Sequence, residues 1–489
     1  MNHLKHFLIL LLFCRSTKLH KVPYGQNLIV LLIDGFGSSL LNQSNIEFFG
    51  FKYLMQNGAH TEYLKPTYPT QSYPNWMSLI SGIHRCLYAE NNGFTADYMW
   101  DEKSESGFYR GENSNDTARI WWGDRPAPLW YTAGKENVDV HCYWIAGCHL
   151  PYVDMIVQVP QTRKFNASIS EQTESLPTHF IEMVERITRY QAYKQQLFLV
   201  RYAGVESALR LFGSHSDEAK QALSRADLYV HDLQQKLEEK GLFESTNLIV
   251  LSDHGLHSID IEEQFFIEEC LADFSKITKV VNSHSMMMVF TDPNELDEIF
   301  FELKVCDQWA PMGDYDEGDN PLVSVYRTSE LPEKFHWKNS KYMPGIIILT
   351  KPGATVLTRE LPSIPISDEH SRDIRQTGGW DNDNPEMRGI FIARGPGSEH
   401  FSKIVERSFK INHTSPPINM VDVYQVLLNI LGIEAPHRHN GSWSNVEDLL
   451  SGGWESRTSP HSTSNGSSAL RSLSCLLLFF SLSLYNFAL

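Results

Sequence analysis

The chain has 489 residues, enough for one large α/β domain or for two to three smaller ones. Hydrophobic residues make up 42% of it, which is ample for a packed core and excludes global disorder. The formal net charge of −17 argues against nucleic acid or an anionic membrane surface as an electrostatic partner. A phosphate ester stays compatible with this charge if metal ions or local dipoles provide a positive field.

The N-terminal segment has the pattern of a secretory signal peptide. A weakly basic start at Lys5 precedes an apolar run over residues 7–13, which is too short to span a bilayer. A buried strand is the alternative interpretation of this run. We predict a signal peptide over residues 1–20, followed by the main folded domain over residues 21–450.

Two carboxylates follow short apolar runs that predict buried strands. Asp34 follows the run 28–33, and Asp253 comes two residues after the run 248–251. In an α/β sheet, ligands gather at the carboxyl ends of the strands, so Asp34, Asp253 and the adjacent His254 are expected there.

A serine lies just before a predicted helix between these two strands. Ser72 belongs to the segment 69–75 (PTQSYPN), and a helix is predicted over residues 76–80. The backbone N–H groups and the dipole of a helix N-terminus favour an anion beside Ser72. Two carboxylates, an imidazole and a hydroxyl suit a zinc-like ion that activates Ser72 as a nucleophile.

The remaining elements alternate in the manner of an α/β protein. Helices are predicted to begin at residue 51 and to cover residues 180–192, 217–240 and 421–431, and strands are predicted at residues 197–202, 286–290, 346–349 and 390–393. We find no internal repeat and no linker that separates two cores. One large domain is therefore the prediction.

The C-terminal end resembles the signal for a glycosylphosphatidylinositol (GPI) anchor. A polar stalk over residues 451–466 leads into an apolar tail over residues 467–489 that has no basic stop after it. The candidate attachment residues are Asn465, Gly466 and Ser467. A single-pass tail anchor is the alternative, and either version predicts attachment to the membrane at the cell surface.

Glycosylation sequons and cysteines fit a secreted chain. Asn-X-Ser/Thr triplets begin at Asn42, Asn115, Asn166, Asn412 and Asn440. Removal of both ends leaves an odd set of cysteines, so at least one thiol is unpaired or bonds another chain, which would permit an oligomer. These cysteines are Cys86, Cys142, Cys148, Cys270 and Cys306.

The chain resembles the ectonucleotide pyrophosphatase/phosphodiesterase family of the alkaline phosphatase superfamily over residues 27–450. Besides the segments around Asp34, Ser72 and Asp253, matching signatures occur at residues 81–84 (SGIH), 98–101 (YMWD), 121–122 (WW), 143–148 (YWIAGC), 331–336 (LPEKFH) and 384–387 (NPEM). Serine at position 72 and the YMWD run look most like the choline-phosphodiesterase branch. The resemblance implies an alkaline-phosphatase-like α/β fold, with a central, largely parallel sheet sandwiched by helices.

The resemblance also implies two zinc ions beside the nucleophile. It assigns one ion to Asp34, Ser72, Asp253 and His254, all of which are present. The other ion is held in the family by an Asp-x-x-x-His pair after a strand and by a later histidine that precedes a Gly-aromatic-Asp-Asn turn.

The chain departs from this second set of ligands. Aligned from the left, Ala203 and Ser207 stand where the aspartate and the histidine are expected. With a short insertion, the aligned residues become Glu206 and Arg210 instead, and a guanidinium cannot bind a metal. Gly378 stands at the position of the later histidine. At least two ligands of the second site are therefore missing, so one zinc ion is expected rather than two.

A further departure concerns the phosphoryl group itself. The family places an asparagine amide against a phosphoryl oxygen, two residues before the methionine of the YMWD run, and Asp97 occupies this position. A carboxylate repels the oxygen to which an amide donates, and the loss of one such donor typically costs about 3 kcal/mol of transition-state stabilisation. His215, His257 or Arg210 could compensate, although a surface or loop role is the alternative for each.

The leading hypothesis is a GPI-anchored extracellular protein of this fold whose phosphodiesterase activity is impaired or absent. It keeps one zinc site and binds a small phosphodiester or a choline-containing ligand. The alternative is an active metal-dependent phosphodiesterase that cleaves choline phosphodiesters or nucleotide esters through a phosphoryl intermediate on Ser72. An adhesion or receptor-like surface protein is a third class, for which partner binding would not depend on Asp34.

Overall fold

The computed structural model describes residues 26–43, 46–80, 88–109, 119–122, 127–148, 150, 161–162, 167–190, 193–305, 321–359, 363–364, 374–396, 408–434 and 439–451. The predicted signal peptide, most of the stalk and the anchor signal lie outside these residues. The sequons at Asn115 and Asn166 also lie outside them. The other three sequon asparagines are exposed, namely Asn42, Asn412 and Asn440.

Strands and helices alternate along the chain, as expected for an α/β protein. The strands are β1 (Asn27–Ile33), β2 (Ala59–Thr61), β3 (Leu64–Lys65), β4 (Met99–Asp101), β5 (Ser106–Phe108), β6 (Asp139–Tyr143), β7 (Gln161–Thr162), β8 (Gln196–Tyr202), β9 (Thr246–Leu251), β10 (His257–Ser258), β11 (Gln264–Phe266), β12 (Ile277–Asn282), β13 (Met286–Thr291), β14 (Val323–Arg327), β15 (Ile346–Thr350), β16 (Thr355–Leu357), β17 (Ser363–Ile364), β18 (Gln376–Thr377), β19 (Phe391–Arg394), β20 (His413–Ser415) and β21 (Ile418–Asn419). The helices are α1 (Gly50–Gln56), α2 (Ser72–Ile80), α3 (Ala89–Asn92), α4 (Arg119–Trp122), α5 (Leu129–Lys135), α6 (Ile169–Tyr190), α7 (Gly204–Phe212), α8 (Asp217–Glu239), α9 (Leu296–Val305), α10 (Met420–Leu431) and α11 (Trp443–Val446).

The central sheet has eight strands among the described residues, in the order β20-β2-β19-β9-β1-β8-β6-β7. Strands β9, β1, β8, β6 and β7 run parallel to one another, and β19 runs antiparallel to both β9 and β2. Parallel strands buried on both faces read as continuous apolar runs, and all seven residues of β1 are buried.

Helices cover both faces of this sheet. Alternate residues of β1 point to opposite faces, so Leu28, Val30 and Leu32 join a core with α2, α5 and α10. The intervening residues of β1 join a second core, built with α1, α6 and α8. The predicted fold class is confirmed: a largely parallel central sheet lies between two helical layers.

A smaller sheet lies in the part of the chain between β9 and β19. Its strand order is β14-β15-β13-β12-β17, and α9 packs on one face in a separate apolar cluster. An aromatic cluster that includes Tyr68, Phe335 and Trp337 covers the other face. Tyr68 lies four residues before Ser72, so this cluster ties the smaller sheet to the segment that carries the serine.

Three of the five predicted cysteines are disulfide-bonded. Cys142 is bonded to Cys148, and Cys270 is also disulfide-bonded. Cys86 and Cys306 lie outside the described residues, so the unpaired thiol stays a prediction. Across the described ranges, we find no helix with both the length and the apolarity needed to cross a membrane.

The burial of β1 can be tested by truncation of one side chain. Leu31 lies opposite Val200 on β8 and Val250 on β9, and it is 1% exposed. We expect Leu31→Ala to lower the free energy of unfolding by about 3 kcal/mol, because it leaves a cavity between the sheet and its helices. Chemical denaturation measures this change. The same truncation at Leu228, which is 60% exposed, should have little effect.

Candidate active site

The fold brings the four residues of the predicted first site to one edge of the sheet. Strands β1 and β9 are parallel neighbours, so Asp34 and the pair Asp253 and His254 follow strands that end side by side. Ser72 is the first residue of α2, which packs on that edge. All four side chains are buried, with exposed fractions of 1% or less.

Ser72 lies between an imidazole and a carboxylate. Its Oγ is 3.2 Å from His254 Nε2 and 3.4 Å from Asp34 Oδ1. His254 Nδ1 lies 2.8 Å from the carbonyl oxygen of Gly255, which can only accept, so Nδ1 carries the proton. Burial lowers the pKa of His254, against the opposing effects of Glu206 and Asp34. The imidazole is therefore neutral, and the lone pair of Nε2 is directed at Ser72.

Asp253 is held by three donors. Its Oδ1 accepts from the backbone N–H groups of Gly35, at 3.0 Å, and His254, at 2.9 Å. Its Oδ2 accepts from the indole Nε1 of Trp76, at 2.8 Å. Asp253 therefore joins the ends of β1 and β9 to helix α2 and fixes their relative position.

Arg201 is a residue of the site that the sequence analysis missed. It lies in β8 opposite Leu32, and its Nε and Nη2 donate to Asp34 Oδ2 at 3.0 and 2.6 Å. The guanidinium also lies over the ring of Trp76, 4.2 Å from the centroid. The available signal was a lone charge within the apolar run 197–202, which is uncommon in a buried parallel strand unless that charge is paired.

Asp34 carries the strongest electrostatic perturbation of the site. Burial raises its pKa well above the ordinary value, and the negative charges of Asp253 and Glu206 raise it further. Arg201 acts in the opposite direction. The ion pair with Arg201 thus favours the carboxylate form in surroundings that otherwise disfavour it.

The structure places the residues of both sequence alignments on the wall of one cavity. Ala203 precedes α7, and both it and Ser207 line the cavity. Glu206 and Arg210 lie one turn apart on α7, with Arg210 Nε 2.8 Å from Glu206 Oε1. Arg210 Nη1 also donates to Thr377 Oγ1 at 3.0 Å.

Glu206 joins the predicted metal ligands. One ligand atom from each of Asp34, Glu206 and His254 lies within 4.8 Å of the others, and all three residues are buried. This is the group among the described residues whose arrangement allows a metal ion. The donor chemistry of two carboxylate oxygens and an imidazole nitrogen fits a divalent ion such as zinc.

Gly378 lies where no larger side chain has room. A Cβ atom there would be 2.5 Å from the carbonyl oxygen of Thr70 and 3.2 Å from His254 Nδ1. The backbone of Gly379 donates to the same carbonyl oxygen of Thr70, at 2.9 Å. Under the first alignment, the positions of the second site hold Ala203, Ser207 and Gly378, which offer no carboxylate or imidazole; under the second, Glu206 offers one carboxylate.

Asp97 lies beside the first turn of α2. Its Oδ1 accepts from the backbone N–H of Tyr73 at 2.8 Å, and its own N–H donates to Gln71 Oε1 at 2.8 Å. The carboxylate also lines the cavity. A negative charge thus lies at the helix N-terminus where the family places an amide.

The cavity in front of these residues has a volume of about 560 Å³, which is within the range of small-molecule sites. Helices α6 and α7, β8, and the segments around Gln71, Asp97, His284 and Thr377 contribute to its walls. His215 and His257, which the sequence offered as compensating residues, line a separate pocket. Arg210 is therefore the one of these three that faces the cavity.

Comparison with known proteins settles the family. The sequence model of the type I phosphodiesterase / nucleotide pyrophosphatase family matches residues 28–381. The chain belongs to this family. The predicted family is thereby confirmed.

Individual relatives match over most of their length. The bis(5'-adenosyl)-triphosphatase ENPP4 of Homo sapiens is 24% identical over 455 residues, which cover 91% of this chain and 88% of that protein. The Xenopus laevis ENPP4 is also 24% identical, over 92% of this chain and 87% of that protein.

Solved structures share the fold. Human ectonucleotide pyrophosphatase / phosphodiesterase 5 (ENPP5) aligns with a TM-score of 0.70 and 23% identity, covering 87% of this chain and 100% of that chain. An inactive variant of murine ENPP5 in complex with AMP aligns with a TM-score of 0.69, also at 23% identity and the same coverage.

The lack of space at position 378 gives a direct test. We expect Gly378→Ala to lower the free energy of unfolding by about 1–3 kcal/mol, because the added methyl group meets the carbonyl oxygen of Thr70. Thermal denaturation measures the change. Ser207→Ala, which removes only a hydroxyl from the cavity wall, serves as the control. An unchanged melting temperature for Gly378→Ala would show that a Cβ atom is accommodated there and would contradict the lack of space inferred at this position.

Proposed function

We propose that this family member binds small phosphoesters, including nucleotides, at the cell surface and has little or no hydrolytic activity. One metal ion is retained on the side of Asp34, Ser72, Asp253 and His254, and the second ion is lost. The observation that carries the proposal is the loss of second-site ligands under either alignment: Gly378 replaces the later histidine, and neither Ala203 with Ser207 nor Glu206 with Arg210 offers an imidazole.

The loss of one ion removes much of the transition-state stabilisation for phosphoryl transfer. In a two-metal mechanism, one ion activates the nucleophile while the other stabilises oxygens on the opposite side of the phosphorus. In the proposed state, Ser72 and the first ion remain, but the developing charge lacks its second partner. We expect a loss of several orders of magnitude in rate relative to a complete site.

Asp97 lowers the capacity for catalysis further. Its Oδ1 is held by Tyr73 N–H, so the carboxylate stays at the N-terminal end of α2, where a phosphoryl oxygen would need a donor. An asparagine of the same shape would offer an N–H group at this point. The aspartate instead opposes the anion electrostatically, and it does so at the end of the helix that most favours a phosphate.

Ligand binding survives these changes more readily than catalysis. The cavity has a volume of about 560 Å³, and Gln71 and Tyr73 at the N-terminal end of α2 line it together with Arg201 and Arg210. The inactive murine ENPP5 that shares the fold was solved in complex with AMP. A nucleoside monophosphate is therefore the probe of choice.

An active metal-dependent phosphodiesterase is the second candidate. The contacts of Ser72 Oγ with His254 Nε2 and Asp34 Oδ1 favour it, because an ion held by these side chains would favour ionisation of the serine hydroxyl. In that case Ser72 would form a phosphoryl intermediate.

Hydrolysis by the purified, zinc-loaded ectodomain distinguishes the two candidates. Bis(5'-adenosyl) triphosphate and a chromogenic nucleotide ester serve as substrates, and Ser72→Ala is the matched control. The first candidate predicts that the wild-type rate equals that of Ser72→Ala. A wild-type rate at least a hundredfold above the control would refute the proposal and establish the second candidate.

A single substitution tests the role of Asp97. Asp97→Asn keeps the acceptor for Tyr73 N–H, removes the negative charge and adds a donor toward the cavity. We expect AMP to bind about tenfold more tightly, measured by calorimetry, because a charge-assisted hydrogen bond replaces a repulsive contact. Asp101→Asn is the matched control, since Asp101 contacts Lys103 and Ser104 instead. Equal AMP affinity in wild type and Asp97→Asn would contradict the role assigned to this carboxylate.

Attachment by a GPI anchor is the other part of the proposal. Processing would remove residues 1–20 and 467–489, with residues 451–466 as the stalk and with Asn465, Gly466 and Ser467 as the candidate attachment residues. Phosphatidylinositol-specific phospholipase C should release the full-length protein from the surface of expressing cells. Retention after this treatment, with release of a known GPI-anchored control, would favour a tail anchor.

A further inference from the structure

We propose that the pocket lined by His215 and His257 holds the first N-acetylglucosamine of a glycan attached to Asn42. The inference rests on the part of the proposed function that places the chain at the cell surface, because a chain receives N-linked glycans as it is secreted. It does not depend on metal binding or on hydrolysis. The proposal adds a covalently attached ligand to the molecule, in a pocket distinct from the cavity that Arg210 lines.

The pocket combines an apolar floor with a polar rim. Its volume is about 300 Å³, at the lower end of the range for small-molecule sites. The floor is buried and consists of Leu40, Leu209 and Leu256. The rim is exposed and includes Ser39, His215 and Ser258. An N-acetylated sugar has the matching features, because its C–H groups and acetyl methyl lie beside hydroxyl and amide groups that donate and accept hydrogen bonds.

The sequon at Asn42 lies at the rim of this pocket. Asn42 is exposed, begins an Asn-Gln-Ser triplet, and is the last residue of the 3₁₀ helix Ser38–Asn42. Residues three apart share a face of a 3₁₀ helix, so Asn42 lies on the same face as Ser39, which lines the pocket. The next residue, Gln43, lines the pocket as well. A sugar attached to Asn42 therefore begins beside the pocket.

Two side chains of the pocket offer hydrogen-bond acceptors to a sugar. The Oε1 atom of Gln43 is buried, and it has no hydrogen-bond partner within the described part of the chain. A buried acceptor without a donor is unfavourable, and an N–H or O–H group of the sugar would provide the donor. His257 Nδ1 lies 2.7 Å from the carbonyl oxygen of Ser258, which can only accept. In the neutral imidazole, Nδ1 therefore carries the proton and Nε2 can accept from a sugar hydroxyl.

The pocket shares a wall with the cavity of the candidate active site. On α7, Leu209 lines the pocket and the next residue, Arg210, lines the cavity. On β18, Gln376 lines the pocket and the next residue, Thr377, lines the cavity. Gln376 Nε2 also donates to Ser214 Oγ at 3.2 Å, just after α7. A sugar in contact with Leu209 and Gln376 would therefore hold α7 against β18.

The covalent attachment favours occupancy of the pocket even where each contact is weak. A ligand on a short tether binds intramolecularly, at a high effective concentration. The residues that line the pocket come from separate segments, which are residues 37–43, 209–215, 256–258, 376 and 386. These segments come together only in the folded state, so a sugar that contacts them stabilises that state over the unfolded chain.

The first test compares the thermal stability of variants of the secreted ectodomain. We expect Asn42→Gln and Ser44→Ala, each of which destroys the sequon, to lower the melting temperature by about 2 °C, because the sugar contacts are lost. Asn412→Gln, at another exposed sequon, is the matched control and should leave the melting temperature unchanged. Trimming of high-mannose glycans by endoglycosidase H, which leaves one N-acetylglucosamine on each asparagine, should also leave it unchanged. In protein made without glycosylation, Asn42→Gln should have no effect.

Hydrogen exchange shows where the glycan lies. We expect the backbone N–H groups of residues 209–215 and 256–258 to exchange at least fivefold more slowly in wild type than in Asn42→Gln. The control variant Asn412→Gln should exchange as wild type does in both segments. Mass spectrometry of peptides from the same protein measures the fraction of Asn42 that carries a glycan.

A glycosylated Asn42 without these effects overturns the inference. Equal melting temperatures and equal exchange in wild type and Asn42→Gln would show that the glycan extends into solvent. Absence of a glycan at Asn42, while Asn412 and Asn440 are glycosylated, would also refute it. If neither sequon variant is secreted, peptide N-glycosidase F removes the glycan from the folded wild type, and unchanged exchange of residues 209–215 is then the contradicting result.

The outcomes for the proposed function are separate. Hydrolysis that depends on Ser72 would refute the proposed lack of activity but not the position of this glycan. A chain that carries no glycan at any sequon would contradict both the inference and the proposed location at the cell surface.

Discussion

The ion pair between Arg201 and Asp34 is the interaction on which the rest of the site depends. Both side chains are buried, and the two nitrogens of the guanidinium contact one carboxylate oxygen. Removal of one partner from such a pair costs about 3–5 kcal/mol, because the other charge is left buried and uncompensated. The pair joins β8 to the end of β1. It also places a permanent positive charge beside the serine, where a metal ion would otherwise be the main source of positive charge.

A second ion pair between an arginine and a carboxylate lies on α7. Arg210 pairs with Glu206 and contacts Thr377 on the far side of the cavity, so it connects α7 to β18, the strand just before Gly378. The chain therefore keeps the buried carboxylates, and the side chains of Arg201 and Arg210 neutralise part of their charge. A guanidinium cannot accept electron pairs from a substrate oxygen in the manner of a Lewis acid, but it can donate hydrogen bonds to one. Under the proposed function, such a site binds a phosphate without hydrolysing its ester.

Much of the fold and the positions of the first-site residues could be predicted from the sequence, because the signals for them are local. The apolar run of β1 predicts a buried parallel strand, and it places Asp34 at a strand end without knowledge of the neighbours. The pair of Arg201 with Asp34 could not be predicted, since it depends on the register of β8 against β1, which sets Arg201 opposite Leu32. The sequence also left open which pair aligns with the aspartate and histidine of the family's second metal site: Ala203 and Ser207, or Glu206 and Arg210. The answer depends on where α7 begins, and the ends of helices are the features that sequence patterns locate least well.

The beginning of α7 at Gly204 puts both candidate pairs on the wall of the cavity. Residues four apart on a helix share a face, so Glu206 and Arg210 point the same way, and both line the cavity. A buried cluster of three carboxylates must be neutralised in any folded state, with or without a bound ion. Where ions alone provide that charge, the fold depends on metal. Here two arginines provide a fixed share of it, so the metal-free protein retains compensated carboxylates. The packing of this edge of the sheet therefore depends only partly on metal binding. The fold can then be stable without the full set of metal ions that a complete catalytic centre would hold.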